Sequence, residues 1–156
     1  METDPDLQRF LDAQAPVYQA VLAELERGRK RSHWMWFIFP QLAGLGRSST
    51  ALHYAMRNRE HAAGYLAHPL LGARLRHCVG LVNRQDALTA EQIFGYPDYL
   101  KFHSSLTLFH EVSSAVREFS QALEKYYGGK PDEATIRLLQ TATPSPPGST
   151  SGNPDT

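Results

Sequence analysis

Cysteine is nearly missing from this chain, since Cys78 is the only one. A single cysteine cannot form an internal disulfide, which excludes the small secreted folds that disulfides hold together. The first residues also lack the basic and apolar segments of a secretory leader. We therefore expect a cytoplasmic protein.

An excess of charge of either sign is also missing. The 16 lysines and arginines are balanced by 16 aspartates and glutamates. A dedicated nucleic-acid-binding domain normally carries a clear basic excess, and attachment to anionic lipid needs one too. The sequence thus predicts neither partner, whereas a small anion needs only a local positive patch.

Long hydrophobic runs and metal-binding motifs are absent from the sequence as well. The longest apolar run, residues 34–39, is far too short to cross a bilayer. The seven histidines include no pair four residues apart, which is the spacing of a helical zinc site. Catalytic triads, P-loops and paired-cysteine motifs do not occur either. We therefore predict no membrane span, no metal and no cofactor.

The patterns that are present are mostly helical. Leu71, Leu75, Cys78 and Val82 fall on one face of a helix, and similar stripes recur along the chain. A hydrophobic content of 42% over 156 residues is ordinary for one globular domain. The sequence predicts an all-α fold, a single compact domain of seven to nine short and medium helices over residues 1–140. Residues 141–156, rich in Pro, Ser, Thr and Gly, are predicted to form a disordered tail.

The most apolar stretch, residues 33–41, contains both tryptophans. Its run from Trp34 to Phe39 shows neither the alternation of a strand nor the stripe of a helix. Because the rest of the chain is patterned as helix, a single strand would find no partner for its backbone groups. We therefore predict a short buried helix that ends at Pro40.

Two turns flank this stretch, and each has two interpretations. The basic turn 27–31 suits the carbonyl end of the preceding helix, but Lys30 could instead point into a pocket beside Trp36. The glycine turn 44–49 could be a plain turn with Ser48 as a helix cap. Alternatively, Arg47 and the free N–H groups of that helix could bind an anion.

A second polar segment begins at Asp98. If Asp98 caps a helix, then Asp98, Lys101 and Ser105 share one face beside an apolar one. This arrangement would hold an ammonium and one or two hydroxyl groups at the edge of the core. The alternative is a cap with an ordinary ion pair three residues apart.

The chain resembles the bacterial domain-of-unknown-function family eighteen-ten (DUF1810), some of whose members are labelled calpastatin. The resemblance spans about Leu7 to Leu139 and implies an all-α fold without bringing an established activity. Tyr99, His103 and Leu106 depart from it, at positions where we expect an acid, an arginine and a methionine. The calpastatin label gains no support, because the sequence has no inhibitor-like repeats. The segments that carry the resemblance are Gly28–Gln41, Gly44–Ser48, Tyr65–Leu75, Ile93–Gly95, and Lys101 with Ser104–Phe109.

Two classes of function follow from these patterns. The first is a site for a small anionic, phosphorylated or nucleotide-like ligand, since cations, a helix start and tryptophan faces suit such a molecule. The second is a non-enzymatic helical module for protein–protein interaction. The candidate residues for the ligand site are Lys30, His33, Trp36, Gln41, Arg47, Ser48, Asp98, Lys101, Ser104 and Ser105.

The ligand hypothesis makes a geometric prediction. Arg47, Lys101 and His33 should lie around one concavity if their segments form a common site. If the site catalyses a reaction, His33 or Asp98 is the first candidate for the acid or base.

Overall fold

The computed structural model describes residues 5–141, which form ten α-helices and a single isolated β-bridge. The predicted all-α fold is confirmed. The described residues form one helix more than the upper end of the predicted range of seven to nine, and α3, α4 and α7 have only four to six residues each. The helices are α1 (Pro5–Gln14), α2 (Tyr18–Arg27), α3 (Met35–Ile38), α4 (Ser49–Tyr54), α5 (Arg59–Ala67), α6 (Leu71–Asn83), α7 (Ala90–Phe94), α8 (Asp98–Val112), α9 (Arg117–Tyr127) and α10 (Glu133–Thr141).

Helix α8 lies at the centre of the fold, with α3, α5, α7, α9 and α10 packed around it. Its residues 104–109 are all buried, so apolar and small polar side chains are covered on nearly every face. The hydroxyl groups of Ser104 and Thr107 in this buried stretch are hydrogen-bonded. Thr107 Oγ1, for example, donates to the carbonyl of His103 at 2.9 Å.

The apolar stretch forms the short buried helix that the sequence predicts. Helix α3 covers Met35–Ile38, and Phe39 follows it into the core. The ring centroid of Phe39 lies 4.9 Å from that of Phe102 on α8 and 5.8 Å from that of Phe94 on α7. These edge-to-face contacts attach the stretch to the central helix.

The predicted capping role of Asp98 is wrong. Asp98 is the first residue of α8, and the N-cap position before it is Pro97, which makes no side-chain cap. The ion pair that the sequence suggests between Asp98 and Lys101 is present, and the Asp98 carboxylate also pairs with Lys30. An acid in the first turn still suits the positive end of the helix.

Residues 41–56 leave the core and return to it. The bridge pairs Leu42 with Met56, and the Met56 N–H donates to the carbonyl of Gln41 at 2.8 Å. Gly44 has a φ of 105°, a conformation that other residues rarely adopt. The bridge thus fixes both ends of a segment that contains the glycine turn and α4.

The C-terminal boundary differs slightly from the prediction. Thr141, which we assigned to the tail, is the last residue of α10. The rest of the predicted tail, residues 142–156, lies outside the described residues. Within residues 5–141, no helix has both the length and the apolar character needed to cross a membrane.

Candidate functional site

A cleft of about 300 Å³ lies between the returning segment 41–56, the start of α8 and the start of α10. Four of the predicted site residues line it, namely Trp36, Gln41, Lys101 and Ser104. The glycine turn contributes to the wall through Gly44 and Gly46. The other lining residues are Leu42, Leu45, Ala51, Tyr54, Ala55, Pro97, Leu100, Asp132 and Ala134.

Lys101 supplies the positive charge of the cleft. Its Nζ lies 4.3 Å from the centroid of the Trp36 ring, and its side chain is 24% exposed. Nζ is 3.4 Å from Asp98 Oδ1, which is long for a charge-assisted hydrogen bond. The cation–π contact and the ion pair together hold a flexible side chain in one place.

Lys30 lies behind the cleft and does not line it. Its Nζ is 2.8 Å from Asp98 Oδ2, donates to the carbonyl of Ser32 at 2.6 Å, and lies 5.0 Å from the centroid of the Trp34 ring. Only 7% of the Lys30 side chain is exposed. Lys30 therefore holds Asp98 in position, and Asp98 in turn borders Lys101.

Glu24, on α2, holds the basic turn in place, although the sequence analysis did not identify it. Its carboxylate accepts hydrogen bonds from the Arg31 N–H at 2.8 Å, the Ser32 N–H at 3.1 Å, the Ser32 hydroxyl, and Trp34 Nε1 at 2.9 Å. Burial raises the pKa of Glu24, but these hydrogen bonds outweigh it and lower that pKa from 4.5 to about 2. The signal in the sequence was a charged residue next to Leu25 on a buried helix face.

Asp132 is a second site residue that the sequence analysis missed. Its Oδ2 accepts hydrogen bonds from the Ser104 hydroxyl at 2.9 Å, the Thr135 hydroxyl at 2.6 Å and the Thr135 N–H at 3.2 Å. The bond from the Thr135 N–H makes Asp132 the N-cap of α10. The sequence pattern that could have identified Asp132 is an aspartate three residues before a threonine at the start of a predicted helix, which is the spacing of an N-cap.

Several polar atoms in the lining have no hydrogen-bond partner in the part of the chain that the structure describes. Within residues 5–141, no hydrogen bond involves the Gln41 side-chain amide, Trp36 Nε1 or Asp132 Oδ1. Ser104, by contrast, is bonded to Asp132 and to the Leu100 carbonyl. The cleft therefore offers both donors and acceptors to a molecule that enters it.

The structure matches the plain-turn interpretation of the glycine turn, with Ser48 as the cap of α4. Residues 46–50 are exposed, and the Ser48 side chain accepts a hydrogen bond from the Ala51 N–H at 3.1 Å. Helix α4 is only six residues long. Ser48 is thus a cap, and Arg47 does not line the cleft.

His33 and Ser105 also lie outside the cleft lining. His33 is exposed just before the buried Trp34, and Ser105 is buried one residue beyond Ser104 on α8. The expectation that Arg47, Lys101 and His33 surround one concavity is not met, because only Lys101 lines this one. Successive helical residues point about 100° apart, so Ser104 and Ser105 cannot share one face.

Neither candidate acid or base is a lining residue. His33 is exposed elsewhere, and Asp98 is occupied by two lysines. The carboxylate that lines the cleft belongs to Asp132. Within residues 5–141, no group of three or more His, Cys, Asp or Glu side chains is placed to hold a metal ion.

Comparison with known proteins identifies the family. The family described as "Protein of unknown function (DUF1810)" matches residues 4–139. The chain belongs to this family. The resemblance drawn from the sequence motifs is therefore confirmed.

A crystal structure supports the same assignment. The conserved hypothetical protein Rv1873 from Mycobacterium tuberculosis is 54% identical in sequence, with a TM-score of 0.86. The match covers 88% of this chain and 99% of that protein. No curated protein matches the chain at a significant level.

Proposed function

We propose that the cleft binds a small anionic ligand of the phosphorylated or nucleotide-like kind. The observation that carries the proposal is the position of Lys101. Its ammonium is held over Trp36 at the wall of the cleft, and Asp98 at 3.4 Å leaves N–H donors for an incoming anion. A phosphate or carboxylate oxygen accepts such donors strongly.

The size of the cleft argues for a small ligand. A volume of about 300 Å³ is at the lower end of the range for small-molecule sites, which is roughly 300–1,000 Å³. The aromatic rings of Trp36 and Tyr54 in the lining suit a flat ring, and the Gln41 amide can orient it through a hydrogen bond. These features favour a mononucleotide or a smaller phosphorylated compound over a dinucleotide.

A protein-docking role is the second candidate, and the rim of the cleft favours it. Tyr96 is 74% exposed, Leu52 62% and Leu100 43%. Leu100 lines the cleft, Tyr96 precedes the lining residue Pro97, and Leu52 follows the lining residue Ala51. Exposed apolar residues around a cleft are typical of a surface that contacts another protein.

A thermal-shift screen tests the ligand proposal. Inorganic phosphate, AMP, ribose 5-phosphate and citrate are added to the full chain, because a ligand that binds only the folded state raises the melting temperature. We expect at least one phosphorylated compound to raise the melting temperature of the wild type. The Lys101→Met variant should lose most of this shift.

Lys125 provides a matched control. Like Lys101, it pairs with an aspartate (Asp86, 2.6 Å) and lies over an aromatic ring (Tyr126, 5.6 Å), but it does not line the cleft. The Lys125→Met variant should keep the shift. A shift that is equally large in wild type and Lys101→Met would place the ligand elsewhere.

A competing anion site is tested in the same screen. A second concavity, of about 440 Å³, contains Arg76 and Arg117 beside Glu118 and has no aromatic residue in its lining. If Arg76→Gln removes the shift while Lys101→Met does not, the anion binds there and the proposal fails. If no compound shifts the wild type and a protein partner binds the rim, docking is the better account.

A further inference from the structure

We propose that the ligand carries, besides its anion, a hydrogen-bond donor that Asp132 Oδ1 accepts. This inference rests on the proposed function, because it concerns the same cleft. It narrows the ligand class from any small anion to a phosphorylated compound that also has a hydroxyl or an ammonium group.

The two charged residues of the lining have opposite signs. Lys101 is positive, Asp132 is negative, and both line the cleft. Ser104 connects them, since it lies three residues after Lys101 on α8 and donates to Asp132 Oδ2 at 2.9 Å. Residues three apart on a helix are neighbours on its surface, so the two charges border the same part of the cleft.

The two oxygens of Asp132 are used differently. Oδ2 accepts three hydrogen bonds, from the Ser104 hydroxyl and from the hydroxyl and N–H of Thr135. Within residues 5–141, Oδ1 accepts none. A carboxylate held by three bonds on one oxygen has a fixed orientation and a second oxygen free to accept.

This pattern also limits how a ligand can bind. A pair of neighbouring hydroxyls that engages a carboxylate through both oxygens would need Oδ2, which is already occupied. Contact through Oδ1 alone fits a single donor group. A purely anionic ligand, by contrast, would lie beside the negative carboxylate of Asp132 without a group that could donate a hydrogen bond to it.

Capping explains only part of this geometry. The N-cap role of Asp132 uses Oδ2, through the Thr135 N–H. Asparagine caps a helix about as well as aspartate. An Asp132→Asn variant should therefore keep the start of α10 while it removes the negative charge.

The test compares three probes by calorimetric titration of the full chain. Methyl phosphate at pH 8 is a dianion without a donor group, glycerol 3-phosphate adds hydroxyl groups, and phosphoethanolamine adds an ammonium. We expect the wild type to bind at least one of the two larger probes about tenfold more tightly than methyl phosphate, because a charge-assisted hydrogen bond to Asp132 adds to the binding free energy. Which one it prefers identifies the donor as hydroxyl or ammonium.

Asp132→Asn should remove this preference. Binding of methyl phosphate should stay equal or become tighter, because the variant has lost a negative charge beside the anion. Asp86→Asn, which removes an exposed carboxylate that does not line the cleft, should leave the preference unchanged.

Two results would overturn the inference. One is equal affinity of the wild type for all three probes. This result would contradict the inference even if the Asp132→Asn variant failed to fold. The other is an Asp132→Asn variant that weakens all three probes equally, because Asp132 would then act only through the structure. A wild type that binds none of the probes would contradict the proposed function itself.

Discussion

Lys101 on α8 lies with its ammonium 4.3 Å from the centroid of the Trp36 ring on α3. This contact joins the central helix to the apolar stretch at the wall of the cleft. Lys101 is also the last of three neighbouring charges, because Lys30 pairs with Asp98 and Asp98 lies next to Lys101. A lysine held in place before a ligand arrives loses less conformational entropy on binding.

The Lys30–Asp98 pair should contribute to the stability of the fold. The Lys30 side chain is 7% exposed and that of Asp98 19%, so Asp98→Asn leaves a mostly buried ammonium without its carboxylate. We expect a loss of about 3 kcal/mol in the free energy of unfolding, measured with urea. Asp86→Asn breaks a more exposed pair with Lys125 and should cost less than about 1 kcal/mol. Similar losses in the two variants would contradict this.

Glu24 should make stability depend on pH in the acidic range. Burial raises its pKa, but hydrogen bonds from Ser32, Arg31 and Trp34 favour the ionised carboxylate and lower the pKa from 4.5 to about 2 in the folded protein. The stabilisation is therefore complete above pH 4.5 and is lost as the pH falls towards 2. The pKa shift corresponds to a contribution of about 3 kcal/mol to the free energy of unfolding.

The prediction for Glu24 is checked by comparing the free energy of unfolding of the wild type with that of a Glu24→Gln variant. The unfolding free energies of wild type and Glu24→Gln should differ most near pH 7 and converge as the pH falls below 4.5. Glu26→Gln, an exposed position on the same helix, should show no such convergence. A Glu24→Gln deficit that does not change with pH would show that its hydrogen bonds do not depend on ionisation.

Substitution of two glycines of α6 by alanine should have opposite effects on the stability of the fold. A Cβ at Gly72 would lie 1.9 Å from the backbone carbonyl oxygen of Leu66, so α5 and α6 would have to move apart. Gly72→Ala should cost about 3 kcal/mol. A Cβ at Gly80 meets nothing within 4 Å, and Gly80→Ala should stabilise the helix by about 0.5–1 kcal/mol. Chemical denaturation of both variants checks this, and a neutral Gly72→Ala would contradict the close approach.

Cys78 should behave as an inert core residue. Burial raises the pKa of its thiol to about 12, although a hydrogen bond with Tyr18 and the charge of Arg74 lower it. Alkylation requires the thiolate. Iodoacetamide at pH 8 should therefore label the native protein at least about a hundredfold more slowly than the protein in urea. Equal rates would mean that the thiol is accessible.

Local patterns predicted much of this fold. The all-α class followed from hydrophobic periodicity. The short helix at Trp34–Phe39 followed from the absence of any partner for a strand, and α3 confirms it. Such features depend mainly on neighbours along the chain.

The site was harder to predict because its contacts join distant segments. Asp98 looked like a cap, but Lys30 reaches it from a turn almost seventy residues earlier. Arg47 and His33 border apolar runs in the sequence, yet both residues are exposed. Asp132 faces α8 through Ser104, a contact that no spacing within either segment could reveal.

The central claim, that the cleft beside Lys101 binds a small phosphorylated ligand, is best tested by NMR. The chain has two tryptophans and thus two indole N–H signals. Trp36 lines the cleft, whereas the Trp34 indole is buried and donates to Glu24. The Trp36→Phe variant assigns the two signals.

In a titration of ¹⁵N-labelled protein with AMP and with inorganic phosphate, the Trp36 signal should move and saturate while the Trp34 signal stays in place. The same titration of Lys101→Met should leave both signals unchanged. Saturable binding that leaves the Trp36 signal unmoved in the wild type would contradict the account.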